Sequence, residues 1–547
     1  MKKLGKIITL SLALVMSAST LSAFGCGKKV PDTDQTLQVY CYDAGYGTAW
    51  CTSLLDLFSQ QDWVKERYPD LIIPTPTIND VTEFAESRLT SGKKGNSFDL
   101  MFAVNLDYNT GPDGDFLDLT EVVYNSDVPG ESIKWKDKSF ESYNESNTFI
   151  DPTDLTVKKQ YLTSWAGGMN TILYNENYLM QFADKVPNTT NELIAICAAV
   201  KEEATNAENN GKYKGEYSFI QHAGGSYFNY FFPLWWAQYE GITNYKNFWN
   251  GLDSNSYSTE IFNQKGRLYA LEVMELLLDV NNKYITREVP NLEFIQAQTL
   301  FLQGNGLFHV NGDWFDNEMK IIREEIKAEK EAEGKTIDTF KTMRMPIISK
   351  LGEKLGITDA ELSALVDYVD GTITTEPTFT STKGLTKNAV IKAVREARTI
   401  VYSIGANHQS GIPHYANGKD VAVDFLRFMA TDIAIEKYIE VTGGASLPFK
   451  YNLKEENIDL YNSLGTLQQT RHDYFGTDAY EVYTLPNSRA FPLYQYGGLR
   501  PFVREDYFND FFRADKEWTA QKYFDDTKTK WTDVKWQQAL SNSGLVQ

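Results

Sequence analysis

The chain has 547 residues, of which 42% are hydrophobic, so it is long enough to bury more than one core of ordinary domain size. Its 53 Lys and Arg against 73 Asp and Glu leave a net charge of −20. That balance excludes nucleic-acid binding, which needs clustered Lys and Arg against phosphates, and it excludes broad electrostatic adhesion to anionic lipid.

Lys2, Lys3 and Lys6 form a basic head, and residues 7–23 (IITLSLALVMSASTLSA) are almost wholly apolar or small. This is the n-region and h-region of a secretory signal. The apolar part is marginal against the ~20 residues of a membrane span, and no other stretch approaches an apolar run of ~18. The following Ala23-Phe24-Gly25-Cys26 resembles a bacterial lipobox, with Ala where Leu is common and a bulky Phe24. The resemblance implies a signal over 1–26 and a diacylated Cys26 as the mature N-terminus. Two acyl chains suffice for stable anchoring. Residues 27–35 would then be a polar tether, and the rest would lie outside the cytoplasmic membrane.

Residues 36–42 (TLQVYCY) alternate and are rich in β-formers, which predicts a strand. Leu54, Leu55 and Phe58 have helical spacing within 48–58. Residues 71–77 read as a second strand broken by Pro74 and Pro76, 81–90 as a helix ended by Gly92, and 98–104 (FDLMFAV) as a short buried strand. This alternation predicts a parallel sheet flanked by helices, and ligands of such sheets sit beyond the carboxyl ends of the strands. Those ends are 42–47 and 105–108. Further on, a helix is predicted near 176–183. Leu268, Leu271, Met274 and Leu278 share a helical face, 318–333 is a charged solvated helix, and Val421, Phe425 and Phe428 form another apolar stripe with Asn417 as its N-cap.

Four cysteines, Cys26, Cys41, Cys51 and Cys197, give neither a disulfide framework nor zinc spacing; Cys41 and Cys51 read either as a pair or as small core residues. No metal or cofactor site is expected. His408 and His414 are six apart, a poor spacing for helical ligands, and the oxygen-rich stretch 107–118 has Gly111 where a calcium loop needs a ligand. There is no H-E-x-x-H and no G-x-S-x-G, and Glu329 stands where a P-loop ending at 334–336 needs its first glycine. With 73 acidic residues, carboxylate pairs of the glycosidase type occur by number alone and decide nothing.

Four passages in order resemble one family. Phe98-Asp99-Leu100-Met101 with Phe116-Leu117-Asp118-Leu119-Thr120 is the first. Leu173-Tyr174-Asn175-Glu176 with residues 186–193 (VPNTTNEL) is the second, with Asn191 where the family has Trp. Residues 301–307 (FLQGNGL) through Gly312-Asp313-Trp314 are the third, and residues 420–451, ending in TGGASLPFKY, the fourth. Together they resemble the bacterial extracellular solute-binding proteins of family 1, the maltodextrin-binding-protein-like group. The resemblance implies an α/β, periplasmic-binding-protein-like fold: two α/β lobes with mixed or parallel sheets, joined by several hinge crossings. The crossings are expected near 161–169, 340–347 and 399–406. The first lobe is expected to take 36–163 and 343–403, and the second 164–342 and 404–547, with 474–547 beyond the family's compact length. The implied function is binding of an oligosaccharide and its delivery to an ABC transporter permease by hinge closure. The partners would be the sugar and the permease, the chain would be a monomer, and a lipid would be its only membrane contact. A peptide-binding protein and a secreted glycan-active hydrolase are the alternatives.

A pyranose has apolar C–H faces and a rim of hydroxyls, so its site needs flat aromatics and Asp or Asn acceptors. At the first strand end these are Tyr42, Asp43 and Tyr46, beside glycines that permit close approach; at the third they are Asn105 and Asp107. Asp313 and Trp314 are the candidates from the second lobe, Trp314 by the family's cleft tryptophan. Trp165 precedes a Gly-Gly pair at a crossing. Trp235 and Trp236 lie in a dense aromatic cluster, where at most one can face a ligand because neighbours on a helix diverge.

Overall fold

A computed structural model describes residues 32–106, 110–151, 153–205, 217–221, 227, 230–285, 292–474, 482–484, 491–499, 510–513 and 515–546. The chain opens with β1 (Val39–Tyr42), α1 (Ala49–Ser59), β2 (Thr77–Asn79), α2 (Glu83–Thr90), β3 (Leu100–Val104) and β4 (Thr163–Ser164). It crosses to β5 (Asn170–Asn175), β6 (Tyr217–Phe219), α3 (Phe231–Glu240), α4 (Lys265–Leu278), α5 (Phe294–Leu302), β7 (Gly306–Gly312), α6 (Phe315–Glu318), α7 (Lys320–Ala332), β8 (Phe340–Met343) and α8 (Lys387–Thr399). It then returns for β9 (His408–Gly411), α9 (Lys419–Phe428) and α10 (Asp432–Thr442), and crosses again to α11 (Thr466–His472).

The first sheet has the order β2-β1-β3-β9-β4. Strand β1 runs parallel to β2 and β3, while β9 runs antiparallel to β3 and β4. Strand β3 is buried over Leu100–Ala103 because helices or loops cover both faces, which is why its sequence is continuously apolar. Alternation in β1 sends Val39 and Cys41 to the core under α1 and Tyr40 to the opposite face. On α1, Trp50, Cys51, Leu54, Leu55 and Phe58 form one buried stripe, packed against α9 and α10; Phe58 meets Phe425 at 5.3 Å between centroids. The second sheet has the order β8-β5-β7-β6, with only β7 and β6 parallel. Its core takes α3, α4 and α8 on one side.

Strand β2 begins only at Thr77, six residues later than the predicted start at 71. Pro74 and Pro76 lack the N–H a ladder needs, so Ile72 makes a single isolated bridge to Thr36 before the strand proper. The helix predicted at 176–183 is one turn, Glu176–Leu179. The charged helix is α7, with no fully buried residue.

The expected division of the chain between lobes is corrected for 343–400 and for 404–461. Met343, Met345, Ile347, Val390, Ile391 and Val394 pack in the second core, so the chain stays in the second lobe to Ile400. Strand β9 instead completes the first sheet beside β3, and α9 and α10 bury Phe425, Phe428, Ile435 and Tyr438 in the first core. Consequently 340–347 is no crossing. The connection runs through 444–466, from Ala445, Leu447 and Tyr461 in the first core to Leu467 against the second sheet. The stretch beyond confident alignment also has a place: Leu493, Trp536 and Leu540 pack in the second core.

The two other crossings lie side by side. Met169 bridges Ser403 antiparallel, and Ile404 N–H donates to Gly168 O at 3.0 Å. Tyr143 and Ser403 both donate their hydroxyls to Gly167 O. Gly168 has φ +58°, and a Cβ there would lie 2.5 Å from the Gly405 nitrogen, so the strands approach only with glycine at 168.

Candidate functional site

Strand β7 ends at Gly312, and the next two residues reach out of the second lobe into the first. Trp314 hangs from the second sheet, yet it is 5% exposed and belongs to the first lobe's core cluster. Its indole lies against Gly45, where a Cβ would come within 2.7 Å of Cδ1; glycine at 45 is what admits the ring. Tyr46 meets Trp314 edge-on at 5.9 Å. On the same helical face as Trp314, three residues on, Asn317 Nδ2 donates to Gly45 O at 2.8 Å.

Asp313 is the polar centre of this corner and has no exposed surface. The Tyr46 hydroxyl donates to its Oδ1 at 3.0 Å. Its Oδ2 accepts the Ser446 N–H at 3.2 Å and lies 3.9 Å from Arg471 Nη1. Burial pushes the Asp313 carboxyl up, while Arg471, the Ser446 N–H and the Tyr46 hydroxyl oppose that shift. Burial likewise lowers Arg471. Arg471, on α11, also donates to Gly444 O, to Ser446 Oγ at 3.3 Å and to Gln468 Oε1 at 2.7 Å. Thus Asp313 and Arg471 from the second lobe together clasp Tyr46 and the 444–446 backbone of the first. A dry, fully bonded charge pair of this kind fixes relative position more than it adds stability.

The remaining predicted residues divide. Asp43 stands exposed, its N–H bonded to Asn79 O at 3.0 Å and its carboxyl pushed up by partial desolvation and by Asp80. Tyr42 is half-buried against the cluster holding Tyr40 and Phe116. Asn105 is exposed with φ 56°, a left-handed conformation that Asn tolerates better than most residues, and its N–H bonds Asn407 O. Asp107 lies outside the described residues, as does Cys26.

Three tryptophans are corrected from candidate platforms to packing residues. Trp165 is fully buried, stacked on Trp50 at 5.1 Å and 13°, with Nε1 donating to Ala103 O. Trp235 and Trp236 are fully buried in the second core, their indole N–H groups satisfied by Pro346 O and Gln264 Oε1. An indole with no exposed surface has no open face for a sugar ring to stack on.

The structure also adds residues that sequence reasoning missed. Asn317 and Glu318 follow Trp314 on α6, and helical spacing alone could have marked Asn317. Glu318 accepts Gln298 Nε2 at 2.7 Å, and burial pushes its carboxyl up to about 7. Tyr227 packs against both cores and lies 6.3 Å from Trp314 between ring centroids. Arg471 carried no signal, being 158 positions from Asp313.

Among the described residues, no cluster of three or more His, Cys, Asp or Glu could hold a metal, and no helix is long and apolar enough to cross a membrane. A cavity of about 10 Å³, enough for one water, lies between Asn170, Arg398 and Val401 where two crossings meet.

No protein-family model and no curated protein matches the chain. Solved structures do. The cyclic alpha-maltosyl-1,6-maltose binding protein of Arthrobacter globiformis aligns with a TM-score of 0.52 at 13% identity, over 93% of this chain and 99% of that one. A chitin oligosaccharide binding protein aligns with the same score, identity and coverage. The apo form of RafE from Streptococcus pneumoniae aligns at 0.52 and 13%, over 92% and 98%. At such identities the likeness is one of fold: the chain has the two-lobed α/β architecture of these binding proteins.

Proposed function

We propose that this chain is an extracellular solute-binding protein that captures an oligosaccharide between its lobes and delivers it to an ABC transporter permease by hinge closure. The observation that carries the reading is the corner at Asp313 and Trp314. It sets a flat ring and a carboxylate on one lobe against a tyrosine and a glycine loop on the other. A hydroxylated ring needs both kinds of group. The adjacent crossings supply a hinge, and a ligand that touches both lobes favours the closed form by its differential affinity. The same-fold proteins named for maltosyl and chitin oligosaccharides support this ligand class. Trp314 and Tyr46 touch, so a sugar enters this corner only when the lobes part.

Several finer features belong to the same proposal: a signal over 1–26, a lipid on Cys26, the outer face of the cytoplasmic membrane as the site of action, and a monomeric state. Binding without catalysis is the reading favoured by the same-fold proteins, which are named as binding proteins. Calorimetry with a panel of oligosaccharides, followed by chromatography of the recovered sugars, tests the reading. Saturable heat with intact sugar supports it, and turnover that tracks the protein through purification refutes it.

A further inference from the structure

The ring and the carboxylate that the second lobe brings to this corner are already covered by the first lobe. Trp314 is 5% exposed, and Asp313 has no exposed surface. The loop 43–47 follows β1 as a tight turn, in which Gly47 N–H donates to Ala44 O at 2.9 Å and Gly47 has φ +68°. It meets the second lobe in three ways. Gly45 lies flush against the Trp314 ring. Tyr46 donates its hydroxyl to Asp313 Oδ1 at 3.0 Å. The Gly45 carbonyl accepts Asn317 Nδ2 at 2.8 Å. A C–H surface on the indole and a hydroxyl on the carboxylate are the two kinds of contact a sugar ring makes.

We infer that loop 43–47 is an intramolecular stand-in for the sugar, a latch that competes with it for Trp314 and Asp313 and so sets its apparent affinity. The inference rests on the oligosaccharide reading above and adds a regulation to that site. A ligand that binds only the unlatched fraction has its dissociation constant raised by the inverse of that fraction. Loosening the latch therefore strengthens binding, and the gain cannot exceed the inverse of the wild type's unlatched fraction. The sign is opposite to that of an ordinary ligand contact, whose loss weakens binding. Because the latch contacts belong to the free form, the gain lies in the association rate, and release is unchanged.

Gly45→Ala tests this. Gly45 does not have a positive φ, so alanine leaves its own backbone unstrained. Its Cβ would lie 2.7 Å from Cδ1, 3.0 Å from Cγ and 3.2 Å from Cβ of Trp314, at the stiff root of the ring. That crowding exists only where the lobes meet, and overpacking of this kind shifts such a balance by roughly ten- to a hundredfold. Asn317→Ala loosens the latch from the other lobe without adding volume. The full chain and both variants are titrated with the oligosaccharide panel by calorimetry, mixed with the same sugars in stopped flow, and measured free by small-angle scattering. The expected result is tighter binding in both variants, by roughly tenfold where the latch is strong enough to allow it, with faster association, unchanged release and a larger free radius of gyration. Equal or weaker binding in both variants overturns the latch and leaves the oligosaccharide reading standing, and an unchanged free radius in both overturns the latch as well. Heat with no sugar from the wild type or either variant refutes the oligosaccharide reading itself, and the latch with it.

Discussion

Tyr46→Phe removes a single hydroxyl and leaves the ring that packs against Trp165, His408 and Trp314. The hydroxyl is one of two hydrogen-bond donors to Asp313 within 3.2 Å, and neither Tyr46 nor Asp313 is open to water. A hydrogen bond to a charged group contributes about 1.5–3 kcal/mol, and here solvent cannot replace it. Because donor and acceptor sit on different lobes, the loss should appear as weaker association of the lobes, a shift of roughly ten- to a hundredfold toward the open form at about 1.4 kcal/mol per decade. Small-angle scattering of the ligand-free protein should report a larger radius of gyration, and urea unfolding a lower midpoint. An unchanged radius together with an unchanged midpoint would refute the argument that this bond holds the lobes together.

Three other perturbations follow from the same geometry. Trp314→Ala should lower the urea midpoint, because the ring packs between the lobes, and should weaken oligosaccharide binding by at least about tenfold; wild-type stability with wild-type affinity would remove Trp314 from both roles. Glu318 is raised from 4.5 to about 7, so the fold binds its proton more tightly than the unfolded chain does. Its contribution is full below about pH 4.5 and is lost as pH rises to about 7, a fall of at most about 3 kcal/mol, and Glu318→Gln should flatten that slope in denaturant midpoints measured across the window. Cys26→Ser should release the protein from membranes into the medium, and a variant that stays bound after a high-salt wash would remove the lipid anchor from the proposal.

The elements of the first lobe were legible because each is short-range chemistry: the apolar run of β3, the stripe on α1 and the stripe on α9 each carry their own period. The glycine loop at 45–47 and the Gly312-Asp313-Trp314 turn could be singled out because glycines that permit a close approach leave marks in composition, and the structure packs the two against each other. Trp235 and Trp236 misled because an indole at the floor of a core and an indole in a cleft have the same sequence signature. Only the bonds to Pro346 and Gln264 tell them apart. The return of β9 to the first sheet was invisible for another reason. Strand pairing across more than 300 residues, Phe102 with Ser410, is decided by the open edge of β3 and not by any property of 408–411 alone. Arg471 was missed likewise, because its meaning is its partner.

The most direct measurement combines calorimetry with scattering on one purified sample titrated with neutral oligosaccharides. The account predicts saturable heat for at least one sugar, a radius of gyration no larger with the sugar bound than at any partly open state of the free protein, and recovery of that sugar uncleaved. Cleavage of the sugar by the protein, or heat with peptides and none with any oligosaccharide, would contradict it.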